Sequence, residues 1–415
     1  MNEPMDSELA IDGGPEAAEA LEVPDWPRVT DRTRENLLDC LESTNWCKQY
    51  DEATYAERFE AAFADYHDAK HALGVTNGTT ALQVALRAVG LLPGDEVIVT
   101  PYTWVSTAMA IVLGGGIPRF ADVDPETYNL DPASVRETIT DDTVGIVGVH
   151  YAGYPMDMDE LVPICEEHDL FLIEDCAHAQ GTEWRGRKVG TFGQAGTFSF
   201  QQSKSLTAGE GGAVVMNDDR VAEVARSVHW MGRDPGGKLG HVLNASNHRI
   251  SEFLGAVLLA QLETLPEENA RRQENEAVLV DELRAIEGIL TKPRDDRITN
   301  RGYFCFNFRY DPEAFGGVDR RRFVEALEAE GVPAHLGTHD AQPLYRQRAF
   351  TREQLSAHVP PGSDLPNYQT MHLPGVEEIA RTNVTLSHQT LLADREGVES
   401  IARAVAKIRA RADEL

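Results

Sequence analysis

Three short stretches of this 415-residue chain carry side chains suited to covalent chemistry. The most informative is Gly196-Thr-Phe-Ser199-Phe-Gln-Gln-Ser-Lys204-Ser-Leu-Thr-Ala-Gly-Glu-Gly-Gly212. Its lysine follows an apolar, strand-like run and precedes a glycine-rich loop, among hydroxyls rather than charges. Partial burial strips such an amine of its proton and leaves a nucleophile able to form an imine with an aldehyde cofactor. A solvent-exposed loop lysine is the alternative. Only seven of the 38 basic residues are lysines, so there are few competitors for the role.

The second stretch is Phe171-Leu-Ile-Glu-Asp175-Cys-Ala-His178-Ala-Gln180. An apolar strand ends in two acids and a histidine, where α/β folds place ligand groups. A carboxylate there can pair with a protonated ring nitrogen, or it can simply cap the next turn. The third is Asn77-Gly78-Thr79-Thr80, a polar turn opening a helix. Free N–H groups and the positive end of the helix dipole suit a phosphate, although the same turn also serves as an ordinary N-cap. His150 and Tyr151 end another strand and are candidates to line a pocket. His335, His339 and His372 lack metal-ligand spacing, and no metal is expected. Trp46, Trp184 and Trp230 read as structural core.

These residues need a frame. From about Ala72, short apolar runs at 96–100, 118–121, 144–149, 170–173, 197–200 and 213–216 alternate with helical periods at 79–89, 106–113, 132–140 and 157–168. Strands spaced by helices predict a mainly parallel sheet. Further helices are expected at 53–66, 219–229 and 251–286, the last with a bend at Pro266. After about Thr291 the texture changes to a strand at 303–310, helices at 319–330 and 395–411, and irregular loops over 333–375. The expected organisation is an acidic, disordered tail over 1–25, a large domain over 26–290 whose first residues can pack with the smaller domain, and a small α+β domain over 291–415.

The formal net charge of −30 sets 68 acids against 38 bases. Such a surface repels nucleic-acid phosphates and anionic membranes, and resembles proteins of salt-loving microbes. An ordinary acidic cytosolic enzyme has a similar balance. No apolar run is long enough to span a bilayer and no signal peptide is apparent, so the cytoplasm is the expected location. Five cysteines without metal spacing read as free thiols.

Taken in order, the three stretches resemble the DegT/DnrJ/EryC1/StrS family of aminotransferases, which depend on pyridoxal 5'-phosphate (PLP). The resemblance runs from about residue 40 to the C-terminus. It implies that Lys204 is the imine-forming lysine and that Asp175 pairs with the pyridine nitrogen. It places His178 near the phenolic oxygen, Gly78, Thr79 and Ser199 at the phosphate, and Trp104 against the ring face. Asn247, in Ser-Asn-His-Arg-Ile-Ser, matches an asparagine that reaches the phosphate of the neighbouring subunit, although the family has glycine where this chain has Ser246. The resemblance further implies a type I aminotransferase fold, with a mostly parallel seven-stranded sheet, and a homodimer with a shared site. The implied reaction moves an amino group from glutamate or glutamine to a keto sugar, nucleotide-linked in most of the family. The alternative is a keto cyclitol such as scyllo-inosose, because Pro-Tyr-Thr-Trp-Val-Ser-Thr and Ser-Phe-Gln-Gln-Ser-Lys are similar to that subgroup. Related sugar dehydratases carry histidine in place of the lysine, so Lys204 argues against that class. A non-catalytic PLP-binding regulator is disfavoured by the complete set of cofactor residues.

Overall fold

The computed structural model describes residues 8–47, 54–337 and 342–415. The chain begins with helices α1 (Asp31–Ser43) and α2 (Tyr55–Tyr66), then alternates strands and helices. The strands are β1 (His71–Val75), β2 (Glu96–Val99), β3 (Ile117–Phe120), β4 (Thr143–Val149), β5 (Phe171–Asp175), the short pair β6 (Glu183–Trp184) and β7 (Arg187–Lys188), β8 (Ala195–Ser199) and β9 (Gly212–Met216). The helices among and after them are α3 (Gly78–Ala88), α4 (Ser106–Leu113), α5 (Pro132–Thr138), α6 (Met158–Glu167), α7 (Asp219–His229) and the 33-residue α8 (Glu252–Arg284). Helix α8 continues through Pro266.

Seven strands form one sheet in the order β1-β9-β8-β5-β4-β2-β3. Strands β8, β5, β4, β2 and β3 are parallel, and β9 runs antiparallel to both of its neighbours. The mostly parallel seven-stranded sheet expected from the sequence is therefore present. Its strands are apolar on both faces: Val97, Ile98, Val99, Ile146 and Val147 are fully buried. Helices cover both sides, so continuous apolar runs replace the alternation of a half-exposed sheet. Helix α8 packs on α1 and α2. At Gly255 a Cβ would meet the Ala56 backbone nitrogen at 2.6 Å, so only glycine permits this approach.

A second sheet, of strands β10 (Ile289–Thr291), β12 (Cys305–Tyr310), β14 (Asn383–Ser387) and β13 (Ala334–His335), is wholly antiparallel. Strand β11 (Ile298–Asn300) joins β6 and β7 in a small third sheet. Helices α9 (Arg320–Ala329), α10 (Arg352–Leu355), α11 (Pro374–Thr382) and α12 (Arg395–Ala410) complete the chain.

Several expectations need correction. The described part of the acidic segment, residues 8–25, is packed rather than solvated: Leu9 and Ala18 are buried in the core of the small sheet. The eight acids of residues 1–25 concealed two apolar anchors. Residues 1–7 and His339 lie outside the described residues. The 333–375 region is irregular but not peripheral. Leu344, Phe350 and Tyr368 join Phe120 in the core of the large sheet. Packing thus crosses residue 291, and the second sheet itself already begins with β10 at Ile289. Trp184 is a core residue, but Trp46 is about half exposed.

Candidate active site

The C-terminal ends of β5 and β8, the N-terminus of α3 and the start of α4 converge on one cavity of about 810 Å³. Gly78, Thr79, Trp104, Asp175, His178, Ser199 and Lys204 all line it. Parallel strands expose their carboxyl ends to ligand in this way because the following loops diverge there.

At one end of the cavity, Asn77 caps α3 by accepting the Thr80 N–H at 2.8 Å. The first N–H groups of a helix have no partner inside it, so this turn presents donors to an anion. The Thr79 hydroxyl donates to the Ser106 hydroxyl at 2.7 Å, and Ser199 lies alongside. A Cβ on Gly78 would come within 2.7 Å of the Ser199 Cβ, so glycine is what lets the turn and the end of β8 close into a cradle. Backbone donors and three hydroxyls suit a phosphate.

At the floor, Asp175 is 5% exposed. Its carboxylate accepts the Thr107 hydroxyl at 2.9 Å and the Ala177 N–H at 3.1 Å. Burial raises its pKa, against these hydrogen bonds and the nearby Lys204 charge. A pyridinium N–H offers such a carboxylate the cationic partner that makes its burial favourable. Behind it, Glu174 points to the opposite side of the sheet. It accepts the Gly190 and Gly193 N–H groups at 2.7 and 2.8 Å and lies 3.0 Å from His150 Nε2.

Lys204 sits 3.9 Å above the Phe304 ring and is 8% exposed. Burial lowers its pKa from 10.5 to about 8, with Asp175 opposing the shift. A useful fraction of neutral amine therefore exists near physiological pH. Phe304 stacks on its other neighbour, His178, with centroids 4.0 Å apart and planes 10° from parallel. Burial, reinforced by Lys204 and Lys292, pushes His178 well below the ordinary histidine range. Its Nδ1 accepts the Ala152 N–H at 3.3 Å, which assigns the ring proton to Nε2 as a donor. The site therefore offers each group PLP needs: an amine for its aldehyde, a carboxylate for its ring nitrogen, a donor for its phenolic oxygen and a cradle for its phosphate.

Three sequence candidates fall elsewhere. Asn247 is exposed on the 230–249 segment, bridges to Trp230 and is absent from the cavity wall of its own chain. His150 is fully buried behind the strand ends, and Tyr151 lies behind His178, so neither lines the pocket. His150, Glu174 and Cys176 form the one potential metal-ligand group among the described residues. The hydrogen bonds of His150 and Glu174 to each other and to the backbone account for their polar atoms without an ion. His335 accepts the Gly337 N–H, and His372 pairs with Glu377 at 2.8 Å. Three contributors were not singled out from sequence. Ser106 and Thr107 end the Pro-Tyr-Thr-Trp-Val-Ser-Thr stretch and were visible there as hydroxyls. Phe304 comes from the loop just before β12, distant in sequence, and carries no local signal.

Comparison with known proteins gives the family. The DegT/DnrJ/EryC1/StrS aminotransferase family model matches residues 27–387. The chain is 38% identical over 421 residues to the L-glutamine:scyllo-inosose aminotransferase of Streptomyces griseus, covering 97% of this chain and 98% of that protein. The crystal structure of 3-amino-5-hydroxybenzoic acid (AHBA) synthase superposes with a TM-score of 0.85 at 36% identity, covering 95% of this chain and all of that one. DesI, solved in the presence of its TDP-sugar product, gives a TM-score of 0.82 at 30% identity, covering 98% and 97% of the two chains. With its lysine, carboxylate and phosphate cradle in one cavity, this chain belongs to the DegT/DnrJ/EryC1/StrS family of PLP-dependent aminotransferases.

Proposed function

We propose that the protein transfers an amino group from L-glutamine, or from glutamate, to a keto cyclitol of the scyllo-inosose type. The observation that carries the reaction class is the convergence of Lys204, Asp175 and the α3 turn in one cavity. When bound, the cofactor supplies an electron-accepting ring that stabilises charge at the amino carbon. The protein's part is placement and proton movement. Asp175 would keep the ring nitrogen protonated, His178 would donate toward the phenolic oxygen and the cradle would hold the phosphate. Lys204 would hold the cofactor by its aldehyde, and its Nζ, once free, would be the base that takes one proton from the donor carbon and returns one on the acceptor side.

The acceptor class has two supports. One is the near full-length similarity to an enzyme named for scyllo-inosose. The other is the lining of the cavity: Lys204 is the one Lys or Arg among its described residues, beside Asp175 and Glu210. A nucleotide diphosphate calls for guanidinium or ammonium partners. The second reading, a nucleotide-linked keto sugar, is favoured by the similarity to DesI.

The protein is further read as a homodimer. Trp104 is 55% exposed at the mouth of the cavity, and Leu239 (76%) and Val242 are exposed on the segment that carries Asn247. Pairing two copies would cover this apolar surface and bring Asn247 to the phosphate end of a neighbouring cavity. A cytoplasmic, salt-adapted protein is the accompanying reading. It rests on the net charge of −30, and no helix among the described residues is long and apolar enough to cross a membrane.

The test is to supply amide- or amine-labelled glutamine, or labelled glutamate, with keto cyclitols and nucleotide-linked keto sugars, and to follow products by mass spectrometry. Labelled nitrogen in an amino cyclitol is the expected result. Label only in a nucleotide-linked amino sugar would transfer the assignment to the second reading. A deoxy-keto product without label would refute amination altogether.

A further inference from the structure

The packed N-terminal segment ends on the reactive loop. Far from the cavity, Glu330 and Lys407 form an ion pair at 2.9 Å, each about 1% exposed. Both also hold the segment's backbone. Glu330 accepts the Ala10 and Ala17 N–H groups, each at 2.9 Å, and Lys407 donates to the Pro15 carbonyl at 2.6 Å. Further along, the Arg28 carbonyl accepts from the Gln261 side chain of α8 at 2.6 Å. Between these anchors the Trp26 indole N–H donates to the backbone carbonyl of Lys204 at 3.1 Å.

The indole is itself held from two sides. The buried His388 ring meets it edge-on at 4.7 Å, and the Arg272 guanidinium lies 5.5 Å from its centroid. Arg272 donates to Asn269 at 3.0 Å and to Glu268 at 3.3 Å. Asn269 donates to the Gln180 carbonyl at 3.0 Å, and the Gln180 side chain donates to the Ser199 carbonyl at 3.0 Å. The Ser205 hydroxyl returns to Gln180 at 3.3 Å. The peptide that carries the nucleophile is thus held from two directions, by the Trp26 indole N–H and by the Ser205–Gln180–Asn269–Arg272 hydrogen bonds, which meet where Arg272 faces the indole ring. Trp26 is the group that reaches the Lys204 carbonyl itself, from 178 residues earlier in the chain.

We propose that residues 8–30 form a strap and that Trp26 is a positioning residue for Lys204, its indole N–H fixing the backbone from which the amine is aimed. This rests on the reading of Lys204 as the reactive lysine. The direction of a side chain follows from its backbone, and misplacing a reacting atom by about 1 Å costs on the order of a hundredfold in rate. The rigid indole offers a single donor on a ring locked by packing, which suits positioning better than a flexible side chain does.

The experiment uses Trp26→Phe, with Trp184→Phe as control. Trp184 is buried and likewise donates its N–H, to Asp159 at 3.1 Å, but it lies on β6 rather than against the loop. Amide hydrogen exchange of residues 200–206 and the pH profile of Lys204 acylation are read in the apoenzyme. Trp26→Phe is expected to speed exchange in that peptide roughly three- to tenfold, the range set by one hydrogen bond. It should also move the Lys204 reactivity midpoint upward from about 8, as water reaches the loosened amine. In the holoenzyme kcat should fall more than KM rises. Trp184→Phe should lower the melting temperature without moving either loop readout. Site-specific replacement of Trp26 by benzothienylalanine, which keeps the ring shape and removes only the N–H, gives the same readouts in a variant built to fold. Unchanged exchange and an unchanged midpoint in both Trp26 variants would overturn the proposal. So would equal effects from Trp184→Phe. Borohydride fixing the cofactor on a lysine other than Lys204 would overturn the reactive-lysine reading instead, while the exchange data still report on the strap.

Discussion

Replacing Lys204 with methionine should stabilise the apoenzyme at pH 7, and progressively less as the pH rises. Lys204 is 8% exposed and burial lowers its pKa from 10.5 to about 8, so the folded apoenzyme holds an ammonium that water would solvate better. At pH 7 that difference corresponds to about 3 kcal/mol of destabilisation. A base whose folded pKa lies below its unfolded value binds more protons when unfolded, so stability rises with pH between about 8 and 10.5. At pH 10 less than about 1 kcal/mol of the penalty remains. Methionine preserves the unbranched shape but gives up the contact of the ammonium with Phe304, worth roughly 1 kcal/mol. The net gain at pH 7 is therefore about 2 kcal/mol. For 415 residues, at about 2.1 cal/mol/K per residue, this is a rise of roughly 2–3 °C in melting temperature. Calorimetry of both apoenzymes at pH 7 and pH 10 measures it. A Lys204→Met protein that melts lower at pH 7, or whose advantage is the same at pH 10, would refute the reasoning.

Two further outcomes follow from the same structure. Asp175→Asn should still bind PLP through Lys204 and the cradle. Its half-reaction with amino donor should slow by about a hundredfold or more in stopped flow, because the charge that holds the ring nitrogen protonated is gone; near-native rates would reduce Asp175 to a cap for Ala177. The melting temperature should rise from dilute buffer to molar potassium chloride, where the Debye length falls to about 3 Å and repulsion among the surplus carboxylates is screened; a lower or constant value would remove the salt-adapted reading.

The local chemistry was legible in the chain because the site is built from short contiguous stretches. A strand that ends at Asp175 with His178 just beyond it, a turn at Gly78 and Thr79, and a lysine between hydroxyls and glycines each mark their chemistry within about ten residues, and the fold brings all three into one cavity. The parallel sheet was legible for the same reason, since its apolar runs are longer than a half-exposed strand allows. What sequence could not decide depends on partners hundreds of residues away. Leu9 and Ala18 are too few to outweigh eight acids in a composition reading, yet Glu330 and Lys407 bind the backbone around them. Phe304 reads as one residue beside a strand, and only the packing of β12 against the cavity sets it between Lys204 and His178. His150 ends its strand much as Asp175 ends its own, but the structure turns its ring toward Glu174, away from the pocket. Residue type and spacing thus fixed which groups could react, while tertiary packing decided which face each presents and how far its charge is desolvated. Burial and orientation are properties of the assembled layers rather than of any one segment.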